Sequence, residues 1–194
     1  QVAPVMDIRP GETQRWHFLN IAANQYFRIS LDGQPMQILS RDGNTVNQQV
    51  MTDELLIGPS ARFSVLVVGP PAGELALEMG SGNTGAAGDE YPATRLATVR
   101  SSGDPVQTRR ITSAYPVLED LGTQPVAQVR QFSFQDSPDD GAFMINGQRF
   151  DARRVNTTVK LGDLEEWRLY NPSQELHQFH IHQTDFQVVA INDK

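Results

Sequence analysis

Two stretches of this 194-residue chain, IRPGETQRWHFLN at residues 8–20 and VKLGDLEEWRLYN at 159–171, align without a gap at an offset of 151. Gly11 falls on Gly162, Glu12 on Asp163, Trp16 on Trp167 and Asn20 on Asn171. Both tryptophans of the chain therefore occupy equivalent positions, which points to a duplicated unit rather than to chance. The likeness continues with small shifts: FRIS at 27–30 matches FHIH at 179–182, and MQIL at 36–39 matches FQVV at 186–189. A period of this length fits one β-sandwich domain, so the expected organisation is one complete copy followed by the opening half of another.

The rest of the sequence is punctuated to match. Gly 15 and Pro 12 divide it into short runs rich in Val, Ile, Phe and Leu, with turn pairs at Asp32-Gly33, Asp42-Gly43 and Asn146-Gly147. This predicts an all-β chain, with strands at 15–19, 26–31, 36–39, 61–68, 75–79 and 96–99, and again at 129–134, 142–145, 165–170, 178–182 and 186–191. A small-residue loop is expected at 80–88. The expected units are residues 1–104, a polar Pro-bearing linker at 105–126, and residues 127–194 with about half the strands of a sandwich. Half a sandwich exposes an apolar face and an unpaired sheet edge, so association through this incomplete second sandwich is expected.

Composition narrows the function classes. With 39% hydrophobic and 20% charged residues the chain is globular rather than disordered. No apolar run approaches the roughly 18 residues of a membrane helix. The net charge of -7 is spread over both halves, so the basic stripe required by a phosphate backbone is missing and nucleic acid is an unexpected partner. Cysteine is absent, which removes thiolate catalysis and thiolate metal ligands from these residues. The chain opens on Gln1 without a basic-then-apolar leader, so any signal peptide is expected to have been removed or to lie outside these residues.

Three of the four histidines, His177, His180 and His182, lie within six residues in ELHQFHIHQTDF. Imidazole is the commonest metal ligand, and clustering at short spacing is a metal-site signal. On a strand His180 and His182 share one face and His177 lies on the other, so two metal centres are expected. In the first copy Arg28 and Ser30 stand where His180 and His182 stand in the second, so the fold itself does not demand histidine there. His17, between Trp16 and Phe18, has no second ligand nearby and reads as a satisfied polar residue.

HQFHIHQTDFQVV resembles the HPxHxH motif of the multicopper oxidases, and PVMDIRPGETQRWHFLN and FMINGQRF resemble the opening strands of their cupredoxin domains. The resemblance covers nearly the whole chain. It implies a cupredoxin-like Greek-key β-sandwich, residues 1–104 being a middle domain without copper ligands and 127–194 the first half of a copper-binding one. By the same resemblance His177 is a type 1 copper ligand, His180 a type 2 ligand and His182 a type 3 ligand. Gln178 replaces the motif's Pro and Gln183 follows the last His where many members have Gly. The family's remaining His-x-His and His-Cys-His motifs are missing, and a blue copper site needs a Cys thiolate. The implied activity belongs to a laccase-like, three-domain parent. It oxidises a small reducing substrate or metal ion by single electrons at type 1 copper and reduces dioxygen to water at a trinuclear type 2 and type 3 cluster. These residues alone are expected to be inactive, and the location implied is periplasmic or extracellular.

Two other classes compete. A copper-free structural or interaction protein of the same fold, as in periplasmic cell division, would be expected to have lost its ligands. A cupin-like metal enzyme using HxH would need a Glu soon after the pair, and only Asp185 is near. Five methionines scattered at Met6, Met36, Met51, Met79 and Met144 supply no thioether cluster, so phenols, aromatic amines, bilirubin-like pigments and metal ions all remain open as substrates.

Overall fold

The computed structural model describes residues 3–86, 88–109, 115–137 and 139–192. Residues 110–114 of the expected linker and residue 87 of the expected loop lie outside the described residues. The chain divides into two compact units, Gln1–Leu118 and Glu119–Lys194.

The first unit runs β1 (Val5–Ile8), β2 (Thr13–Leu19), β3 (Phe27–Leu31), β4 (Met36–Arg41), β5 (Asn44–Thr52), β6 (Glu54–Ile57), β7 (Arg62–Val68), β8 (Gly73–Met79), β9 (Gly82–Asn83), β10 (Glu90–Tyr91) and β11 (Thr94–Ser101). Nine of these strands build two sheets, ordered β1-β11-β8-β3-β6 and β2-β7-β4-β5, while β9 and β10 form a short ribbon. The alternation read in the sequence decides what faces inward. Ile29 and Leu31 of β3, Met36 and Ile38 of β4, Val65 and Val67 of β7, and Ala97 and Val99 of β11 are buried in one cluster with Trp16. Both sheets contribute to that cluster, so they pack face to face, and each fully buried aliphatic side chain contributes roughly 1.5–3 kcal/mol.

The turn pairs act as their chemistry requires. Asp42-Gly43 joins β4 to β5 with φ of 51° and 96° and pairs Arg41 with Asn44, a two-residue hairpin needing positive φ at both central positions. Strands β1, β5, β6, β9 and β10 are not among those expected, and β9 lies within the expected loop at 80–88. β5 reads NTVNQQVMT because it is a sheet edge and mostly exposed, so it lacks the apolar alternation that marks a core strand.

The second unit holds β12 (Gln128–Asp136), β13 (Phe143–Ile145), β14 (Gln148–Arg149) and β15 (Glu165–Tyr170) in one sheet ordered β14-β13-β12-β15, with a 3₁₀ turn at Leu121–Thr123. β12 and β15 run parallel, and Asn146-Gly147, at φ 52° and 71°, closes the β13-β14 hairpin. The strands expected at 178–182 and 186–191 are not formed. The reason is the ladder: in the first unit the matching strands β3 and β4 are each held between two neighbours, and the described residues of the second unit place no strand beside these segments. Every buried hydrophobic side chain among the described residues lies in the first unit.

The repeated motif has the same local geometry in both units. Gly11 and Gly162 adopt φ of 77° and 90°, and the amides that follow return to Arg9 and Lys160 carbonyls at 3.0 and 3.1 Å. Each tryptophan indole N–H donates two residues back, Trp16 to Gln14 Oε1 at 3.0 Å and Trp167 to Glu165 Oε2 at 2.8 Å. Each asparagine then turns the chain out of its strand. Asn20 Nδ2 donates to the Gln25 carbonyl and Asn171 Nδ2 to that of Glu175, both at 2.7 Å. Their Oδ1 atoms accept from the Ala22 and Ser173 amides at 2.8 and 3.1 Å.

Candidate metal centre

The three histidines follow directly from that last turn. Beyond β15, Asn171 bends the chain through Pro172 to Ser173, because an Asx side chain satisfies the amide two residues on in place of a strand partner. His177 comes back against the sheet. Its ring stacks on Phe134 of β12, with centroids 5.5 Å apart and planes 13° from parallel, and meets Phe143 of β13 edge-on at 5.7 Å. Its Nε2 lies 2.9 Å from Ser173 Oγ.

From His177 onward the burial alternates. His177, Phe179 and Ile181 are half-buried, whereas Gln178, His180 and His182 are exposed. Phe179 anchors the segment by edge contacts to Trp167 at 6.2 Å and Phe186 at 5.6 Å. The rings of His180 and His182 stand together on the outer side, centroids 4.8 Å apart and nearly perpendicular. The segment thus keeps the two-sided character of a strand without a ladder, which the first unit shows as Phe27 to Leu31, with Ile29 buried and Arg28 exposed.

The nearby charges are structural. Arg130 of β12 grips Glu165 of β15 through two bonds of 2.6 and 3.0 Å, and this guanidinium, helped by the Trp167 N–H, holds the Glu165 carboxyl at about 2. Arg149, followed by Ser137 and the Ala142 amide, holds Asp140 below the usual carboxylate range. His17 lies apart, exposed on β2 with Nδ1 2.8 Å from Ser64 Oγ. Two surface depressions, one around Ser81, Asn83 and Tyr91 and one around Pro10, Gly69 and Val106, belong to the first unit and hold none of the three clustered histidines.

The donor set fits copper in part. Neutral imidazoles suit copper, and His180 and His182 offer two of them side by side at the surface. Among the described residues, however, no group of three or more His, Cys, Asp or Glu side chains converges as a metal cage. The chain has no cysteine, so its own residues supply no thiolate ligand. Sequence reasoning missed Ser173, Phe134 and Phe143 around His177. The available signal was in the repeat, where Ala22 stands at the position of Ser173.

Comparison with known proteins bears on the whole chain. Two family models described as "Multicopper oxidase" match residues 1–103 and 123–194. A laccase of Bacillus subtilis is 24% identical over 97% of this chain and 38% of its own length. The cell division protein FtsP of Escherichia coli is likewise 24% identical, over 98% of this chain and 41% of its own. The crystal structure of the McoA multicopper oxidase of Aquifex aeolicus superposes with a TM-score of 0.73 at 18% identity, covering 89% of this chain and 40% of that one. The described strands thus share the cupredoxin-like sandwich fold of such proteins, and the chain spans about two fifths of the length of these curated relatives.

Proposed function

The chain belongs to the multicopper oxidase family, and from that premise we propose that it supplies part of the copper-binding machinery of a laccase-like oxidase. One observation supports this reading above the others. At matched positions of the duplicated unit, the first copy has an Arg28–Glu54 ion pair and Ser30, whereas the second has His180 and His182 exposed together with His177 turned to the opposite side. Exposed imidazoles placed so are available to a metal shared with other residues.

In this reading His177 holds the type 1 copper, His180 the type 2 copper and His182 one of the type 3 pair. When bound, the coppers supply single-electron oxidation of a small reducing substrate or metal ion and reduction of dioxygen to water. The chain's own residues bind and orient. Phe134 and Phe143 pack against the His177 ring and fix its plane, and Phe179 and Ile181 seat the short backbone segment that separates the two sides. Location in the periplasm or outside the cell belongs to the same proposal, as does the need for ligands from further cupredoxin domains.

The FtsP likeness favours a second reading, in which the fold serves as a copper-free interaction module. Copper titration separates the two. The isolated chain is expected to show no blue colour and no oxidase activity, and to take up Cu²⁺ weakly; replacing His180 and His182 by Ala removes most of that uptake. In the complete protein, His177→Ala disturbs the blue absorption first, while His180→Ala or His182→Ala abolishes dioxygen reduction and leaves the blue band largely intact. A blue band bleached by His180→Ala and spared by His177→Ala overturns the role assignment. A complete protein that binds no copper overturns the first reading.

A further inference from the structure

The hydrogen bonds around Ser173 specify which nitrogen of His177 is free. The Asn171 amide has no choice of orientation: the Ser173 backbone N–H can only donate to it, at 3.1 Å, and the Glu175 carbonyl can only accept from it, at 2.7 Å. Its Oδ1 is therefore the atom facing Ser173 Oγ at 2.8 Å. Two oxygens that close need a proton between them, and Oδ1 has none, so the serine hydroxyl donates to Asn171. The remaining contacts of Oγ are the Glu175 carbonyl at 3.2 Å, which already accepts from Asn171, and the Glu175 N–H at 3.2 Å, which donates to it. With its single proton spent, Oγ can meet His177 Nε2 at 2.9 Å only as an acceptor.

We infer that Ser173, oriented by Asn171, is a positioning residue that holds His177 as the Nε2–H tautomer and so presents Nδ1 as its free lone pair. The use of that lone pair rests on the reading of His177 as a copper ligand; the tautomer does not. A ligating histidine is commonly fixed in this way, by giving its other N–H to a neighbouring acceptor. The ring plane is fixed separately, by the stack on Phe134 and the edge of Phe143. The duplicated unit supplies an independent indication. Asn20 turns the chain in the first copy just as Asn171 does in the second, but the residue two positions on is Ala22, and no histidine follows it. The asparagine therefore belongs to the fold and the hydroxyl accompanies the histidine.

The test is a long-range ¹H–¹⁵N correlation of the copper-free, ¹⁵N-labelled chain at a pH where its imidazoles are neutral. His177 is expected as the Nε2–H form. Ser173→Ala, which the first copy's Ala22 shows to be compatible with this turn, should lower the ratio of Nε2–H to Nδ1–H by roughly five- to tenfold, the effect of one hydrogen bond. Ser173→Thr should restore it, and the His180 and His182 signals should not move. An Nδ1–H form in the unaltered chain, or a ratio indifferent to Ser173→Ala, overturns the inference. The blue band of the complete copper-loaded protein tests the other reading separately. If His177→Ala leaves that band unchanged while the tautomer obeys Ser173, the copper assignment falls and the positioning role stands. If His177→Ala alters the band but Ser173→Ala moves neither band nor tautomer, the positioning role falls.

Discussion

Residues 8–22 and 159–173 fold into the same local device, a positive-φ glycine, a tryptophan pinned two residues back and an asparagine that turns the chain. The two units nevertheless end differently. In the first, β2 pairs with β7, both sheets close, and Trp16 joins a buried cluster. In the second, β15 pairs with β12, and hydrophobic side chains such as Phe143, Phe150 and Leu161 are exposed. A shared local motif thus does not carry the core with it. Burial depends on a second sheet, and that sheet comes from residues distant in sequence.

Substitution at matched positions should display this difference most strongly in the core. Met36 is 0% exposed and its counterpart Phe186 is 55% exposed. Met36→Ala should destabilise the first unit by about 2–5 kcal/mol, from lost burial and the cavity left behind. Phe186→Ala should cost the second about 1 kcal/mol, chiefly its edge contact with Phe179. Denaturant unfolding followed by a probe in each unit measures both. Equal costs would break the comparison.

The turn asparagines come next. Asn20 is fully buried and its amide also donates to the Ile57 carbonyl at 2.9 Å, so Asn20→Ala removes a buried donor and should cost about 1–3 kcal/mol. The Asn171 side chain is exposed and water can replace it, so Asn171→Ala should cost about 1 kcal/mol or less on the same unfolding curves.

Acid should distinguish the tryptophans. Trp16 is pinned to the neutral amide of Gln14, Trp167 to the carboxylate of Glu165. Because Arg130 and the Trp167 N–H depress the Glu165 pKa in the folded state from 4.5 to about 2, the stabilisation it gives is present above pH 4.5. It is lost as pH falls from there through about 2. Trp167 emission, recorded in a Trp16→Phe variant, should change across that interval, and Glu165→Gln should remove the change. Trp16 emission in a Trp167→Phe variant should follow no such course. Tryptophans that titrate alike would show that the two anchors are equivalent.

The smallest effect concerns the surface positions where the copies diverge. Arg28 and Glu54 are both about half exposed, and such ion pairs contribute roughly 0–1 kcal/mol. An Arg28→His, Ser30→His double variant should therefore remain folded, its unfolding midpoint shifted by no more than that pair is worth. A collapse of the first unit would mean that the fold, and not function, selects the residues at these positions.

The sequence by itself determined the all-β class, the repeated motif and the hairpins at Asp42-Gly43 and Asn146-Gly147, because φ preference and apolar alternation are local properties of a few neighbouring residues. The same alternation put His177 opposite His180 and His182, and burial along 177–182 follows it. Edge strands such as β5 stayed hidden because an exposed edge has no reason to be apolar. Tertiary structure alone decided which alternating segments became strands, since a ladder needs a partner: residues 27–31 have one on each side, and 179–182 have none among the described residues. It also decided the surroundings of His177. Phe134 and Phe143 lie more than thirty residues upstream and reach the ring only through the pairing of β12 and β13. Ser173 is close in sequence, but its role depends on the direction of one proton, and that direction follows from the turn that Asn171 makes in space.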